Sequence, residues 1–164
     1  MANIDYELLK IKVDVWKTVV GTQQHFNDLE MRIRNYGILI LSAFIGAIGV
    51  TFKSGYELPY FNIPASSILS FAAAFIWLLF FFMDVYWYHP LLKGAVAHGK
   101  LIEDNINADL GGIVGLASTV SNNSSVDVFC FKNMHSTGKA KLFYLSVFSI
   151  LLASAIALFF VDKP

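Results

Sequence analysis

The sequence predicts an all-α membrane protein with three transmembrane helices, an N-terminal amphipathic helix and a helical insert between spans two and three. Three observations carry this prediction. Hydrophobic residues make up 56% of the 164 residues and charged residues only 15%, whereas a soluble domain carries about 25% charged residues. Three apolar stretches, free of Asp, Glu, Lys, Arg and His, approach the roughly 20 residues needed to cross a bilayer. The rest of the chain is too small to cover three such helices inside a soluble core. Mean hydropathy is +0.58.

The elements follow in order. Residues 1–35 precede the first span, residues 36–52, whose apolar run is Gly37–Phe52 (GILILSAFIGAIGVTF). A short external connection, residues 53–63, leads to span two at 64–84 (ASSILSFAAAFIWLLFFFM over Ala65–Met83), with Pro64 suited to a first helical turn. The insert covers residues 85–141, span three covers residues 142–161 (LFYLSVFSILLASAIALFFV), and residues 162–164 form an external tail. Positive residues orient the chain. Lys10, Lys12, Lys17, Arg32 and Arg34 precede span one, and Lys93, Lys100, Lys132, Lys139 and Lys141 lie in the insert. Only Lys53 and Lys163 fall on the other side. The N-terminus and the insert are therefore expected in the cytoplasm and the C-terminus outside. Tyr36, Tyr86, Trp87, Tyr88 and Tyr144 would mark the inner interface, and Phe52, Tyr56, Tyr60 and Phe61 the outer one. No cleavable signal peptide is expected, because the first apolar run begins too late.

Within residues 4 to 20, Ile4, Leu8, Ile11, Val15 and Val19 recur at helical steps, which predicts an amphipathic helix that packs against protein or lies on the membrane. Thr22, after Gly21, is read as the start of a second helix leading into span one. There Gln24, Asp28 and Arg32 share a face, and Glu30 and Arg34 form a second candidate pair. These residues suggest a polar collar where His25, Asp28, Arg32 and Arg34 could meet an anionic ligand; anchoring to lipid headgroups is the plainer alternative. In the insert, Pro90 opens a helix running to about Leu110, with Leu91, Ala95, His98, Ile102 and Ile106 on one face. Gly111-Gly112 ends it. Residues 113–131 are read as a small hairpin turning at SNNSS, or as a short helix and loop. Asn122 and Asn123 offer neutral hydrogen-bonding groups to a ligand.

Neutral net charge argues against nucleic-acid binding driven by charge. The single cysteine, Cys130, excludes a disulfide framework or a multi-cysteine zinc site. His25, His89, His98 and His135 show no metal-ligand spacing, GGIVG and GKAK lack the setting of a phosphate loop, and no GxSxG occurs. No catalytic residue, metal or cofactor is expected. Asp84 and the nearby His89 are the best candidates for an intramembrane enzyme, and Asp84 is read instead as a polar helix end at headgroup level. In the spans, Ser42, Gly46 and Gly49, and Ser149, Ala153 and Ala157, form small-residue faces that permit close helix packing. They predict a homo-oligomer in the lipid bilayer, with any pore lined by serines, Thr51 and backbone; ordinary packing within one three-helix monomer is the alternative.

The block WKTVVGTQQHFNDLEMRIRNYGILILSAFIGAIG, together with YHPLLKGAVAHGKLIE after span two, resembles small bacterial inner-membrane proteins of anti-phage defence operons. The resemblance covers roughly the first two-thirds of the chain. It implies a channel-like effector of the CBASS, Pycsar, SLATT or Hailong kind, commonly a tetramer, that answers a nucleotide or oligonucleotide signal or an operon-encoded partner protein. The alternative is a non-catalytic accessory or immunity-type membrane protein that docks a partner through its spans.

Overall fold

The structure, a computed structural model, describes residues 6–59, 62–112, 114–124, 126–128 and 131–162. Ile4, Tyr60, Phe61, Ser125, Cys130 and Lys163, named above, lie outside them. Among the described residues, three helices are long and apolar enough to cross a membrane. The chain divides into two compact units: residues 1–30 with 87–139, and residues 31–86 with 140–164.

Helix α1 runs unbroken over Tyr6–Ser54, 49 residues. This corrects the expected division at Gly21-Thr22. A glycine inside a helix costs only about 1 kcal/mol relative to alanine, too little to end a helix held on both sides. The Thr22 hydroxyl donates back to the Thr18 carbonyl (3.0 Å), the mid-helix habit of threonine rather than a cap.

In the second unit, β1 (Glu57–Leu58) and β2 (Ile63–Pro64) form a two-residue antiparallel ladder in the connection before α2. Pro64 caps helix α2 (Ala65–Phe82) with φ −59° and ψ 131°, so it stands just before the first turn rather than within it. Helix α5 spans Ser136–Val161. The core of this unit gathers Ala73, Ala74, Trp77 and Val85 with Ala140, Tyr144 and Leu151. Helices α2 and α5 are stitched by three bonds from side chains to carbonyls. Ser67 Oγ donates to Ala155 O (2.8 Å), Ser70 Oγ to Leu151 O (3.0 Å) and Trp77 Nε1 to Tyr144 O (2.9 Å). Ser66 Oγ also donates to the Asp162 carboxylate. The small-residue face that packs within the chain is thus Ser66, Ser67, Ser70, Ala73 and Ala74, at three- and four-residue steps on α2. Sequence reasoning passed over it.

After α2 the backbone widens into a π-helical turn, Met83–Tyr88, and continues as α3, His89–Leu110. Pro90 therefore follows a widened turn, not a break. Proline has no N–H to give and its ring crowds the carbonyl four residues back, and widening the preceding turn relieves both. Gly111 ends α3 in the left-handed region (φ 67°, ψ 31°), as expected of a glycine cap. The face α3 buries carries His89, Gly99, Glu103 and Ile106. Leu91 and His98, expected on the packed face, are exposed. The expected face is rotated because it counted only apolar residues, whereas this unit turns a carboxylate and an imidazole inward.

Residues 113–131 are corrected in register. Helix α4 occupies Leu116–Asn123, and the hairpin of β3 (Val126–Val128) and β4 (Phe131–Met134) follows it. Asn122 and Asn123, expected in a turn, belong to the end of α4.

Candidate functional site

The described residues bury several ionisable side chains, and these are the chemically charged positions of the fold. In the second unit, Asp84 is fully buried at the start of the π-helical turn. Arg34 of α1 forks onto it, Nε donating to Oδ2 (2.6 Å) and NH2 to Oδ1 (3.2 Å). A planar guanidinium matches a carboxylate in this two-point geometry. Asp84 is therefore buried and paired within the chain, and Arg34 is engaged by its own chain. The Tyr144 hydroxyl is buried within electrostatic reach of Asp84 and Arg34, yet makes no hydrogen bond among the described residues. Lys141, one turn earlier on α5, lies 5.5 Å from the centre of the Tyr86 ring, a cation–π distance.

In the first unit, Glu30 and His89 are 3% and 4% exposed, which commits both to internal partners. His89 Nδ1 meets Glu30 Oε1 (3.0 Å), and its Nε2 meets Thr137 Oγ1 (2.9 Å), with Ser136 Oγ at 3.4 Å. One imidazole thus joins α1, the start of α3 and the start of α5. Glu103 is a second node. It accepts from Trp16 Nε1 (3.1 Å) and from the Ala117 amide (2.9 and 3.1 Å). A carboxylate at this amide in the first turn of α4 satisfies an orphan donor and complements the helix dipole. Lys12 Nζ bridges Asp109 Oδ2 (2.5 Å), and Gln23 Nε2 donates to Ala95 O (3.1 Å).

The other sequence candidates stay on the surface. His25, Asp28 and Arg32 are exposed on α1, and Asn122 and Asn123 are exposed at the end of α4. Asn123 Nδ2 donates to Thr119 O (2.9 Å). Ser42, Gly46, Gly49, Ser149, Ala153 and Ala157 are all exposed. No heavy atom outside the helix backbone comes within 4 Å of a Cβ built at Gly46 or Gly49. Ser42 and Ser149 return their hydroxyls to Ile38 O and Leu145 O. Among the described residues, no group of His, Cys, Asp or Glu could hold a metal ion.

Sequence reasoning singled out Asp84 and His89 but not their partners Arg34 and Glu30 as such, and it missed Glu103. The available signal was spacing. Glu30 and Arg34 stand one turn apart on α1, as Asp84 and His89 stand on the run that faces it.

Comparisons with protein families, with curated proteins and with solved structures find no match.

Proposed function

We propose that the chain is an oligomeric integral membrane effector of bacterial anti-phage defence, forming a channel or disrupting the inner membrane under cytoplasmic control by a nucleotide, an oligonucleotide or a partner protein. The observation that carries the assembly is the contrast between outward faces. On α2 the exposed residues are bulky: Ile68, Phe71, Phe75, Leu79 and Phe82, a surface suited to lipid chains. On α1 the exposed face sets Ser42, Gly46 and Gly49 as gaps among bulky Ile38, Leu39, Ile45 and Val50, and on α5 Ser149, Ala153 and Ala157 among Leu145, Ile150 and Ile156. Lipid chains gain nothing from such indentations, whereas a helix backbone can approach closely there. Only 6% of the apolar stretch of α1 is buried within the chain, against 33% for the Ala65–Leu110 run, which leaves α1 the most surface for a neighbour. The motifs Trp16–Gly49 and Tyr88–Glu103 support the defence setting.

With no charge in the apolar stretches, conduction would pass serines, Thr51 and backbone carbonyls, and apolar side chains would close the path by excluding water. Purification in detergent and in native nanodiscs, with particle mass as the readout, is expected to give a closed ring, a tetramer first. Reconstituted liposomes are expected to leak ions on addition of the signal. A strictly monomeric particle that never conducts overturns the proposal.

A further inference from the structure

The N-terminal stretch of α1 packs through one side and leaves its most regular apolar stripe outside. Lys12, Trp16, Val19 and Gln23, at steps of four, three and four residues, serve the contacts with α3: the Asp109 bridge, the Glu103 bond, the closeness of Val19 to Gly99, and the bond to the Ala95 carbonyl. Beside them, Leu8, Ile11 and Val15 are 51%, 58% and 45% exposed. These three lie well before the apolar stretch of span one, so lipid chains do not cover them. Burying large apolar side chains against a partner is favoured over leaving them in water. Thr18 and Thr22 continue the stepping, and both are exposed. Their hydroxyls return to Asp14 O and Thr18 O (3.0 Å each), which leaves their methyl groups for a neighbour.

We infer that this stripe pairs in parallel with the same stripe of a second copy of the chain. The inference rests on the oligomeric reading above. The steps between Leu8, Ile11, Val15, Thr18 and Thr22 alternate three and four, the spacing of a two-helix seam. Charge then selects the orientation. One edge of the stripe carries Glu7 and Asp14, and the other carries Lys12. A parallel pair sets Glu7 of one copy beside Lys12 of the other, whose ammonium also bridges Asp109 of its own chain, at the flanking position where opposite charges favour pairing. An antiparallel pair would set the acidic edge against itself. Copies inserted into one membrane in the same sense can only meet in parallel here, so orientation and charge agree.

The test uses the full chain with Cys130→Ser, in native membranes, carrying Val15→Cys or, as control, Lys10→Cys on the far side of the helix. Disulfides form only when Cβ atoms come within about 4.5 Å. Oxidation is expected to crosslink the Val15 cysteine several-fold faster than the Lys10 cysteine. Val15→Asp is expected to abolish crosslinking through an Ile11→Cys reporter. Particle mass is measured on the same preparations. A multimer whose Val15 cysteine crosslinks no faster than the control overturns the pairing and leaves the oligomeric reading standing. A monomer overturns both. An environment-sensitive dye on the Val15 cysteine that is quenched by spin-labelled lipid places the stripe on the membrane surface and also overturns the pairing.

Discussion

At the scale of single residues, this protein is organised by charges taken out of water. Removing one partner of a buried ion pair strands the other, at a cost of about 3–5 kcal/mol, while replacing both with apolar groups is often neutral. Asp84→Leu is therefore expected to lower the unfolding temperature in detergent sharply, and Arg34→Leu together with Asp84→Leu to recover most of the loss. Equal losses in the single and double variants would contradict the pair. Glu103→Gln keeps the shape and one acceptor oxygen but gives up the charge and the second oxygen that hold the Ala117 amide. Hydrogen bonds to charged groups contribute about 1.5–3 kcal/mol, so amide exchange over residues 116–123 is expected to rise well before global unfolding. Asp84 and His89 were legible as unusual positions next to an apolar run. Their burial was not, because a residue's own chemistry does not say which side chain will arrive opposite it.

At the scale of elements, most of the helices were legible and their junctions were not. The Gly111-Gly112 stop set the end of α3, and each predicted apolar run lies inside a longer helical stretch: Tyr6–Ser54, Ala65–Leu110 and Ser136–Val161. The unbroken α1 and the π-helical turn before Pro90 are outcomes of competition. A local breaker costs a kcal/mol or so, and flanking helix held by tertiary contacts outweighs it. The α2–α5 seam gives a prediction at this scale. Ser67→Ala and Ser70→Ala should each destabilise by roughly 0.6 kcal/mol, the mean for interhelical side-chain bonds in lipid, as read by unfolding from mixed micelles. Gly99→Ala belongs here too. The added Cβ would strike Gln23 Nε2 and displace its bond to Ala95 O, a loss of about 0.5–1.5 kcal/mol that alanine's helix preference of about 1 kcal/mol offsets, so stability should change little while amide exchange near Ala95 rises.

At the scale of the whole molecule, the assembly is what the outward faces bear on. Gly46→Leu fills a gap with no neighbouring side chain within 4 Å and Ala153→Leu enlarges an exposed position, so the fold should tolerate both while the particle mass falls. Phe75→Leu, on the bulky face of α2, should change neither. Loss of assembly in all three variants, or in none, would refute the assignment of faces. The small faces on α1 and α5 were readable from residue size alone. That they stay uncovered, while a third small face on α2 is consumed inside the chain, was not readable.

The sequence by itself determined the membrane class, the number of apolar helices and the asymmetry of positive charge. Each is a sum over consecutive residues and needs no partner to be evaluated. Only the tertiary structure decided which small face packs internally, which charges are buried in pairs and which side of the α1 arm is left free. Those depend on residues such as Arg34 and Asp84, fifty positions apart, whose encounter is set by how the helices meet.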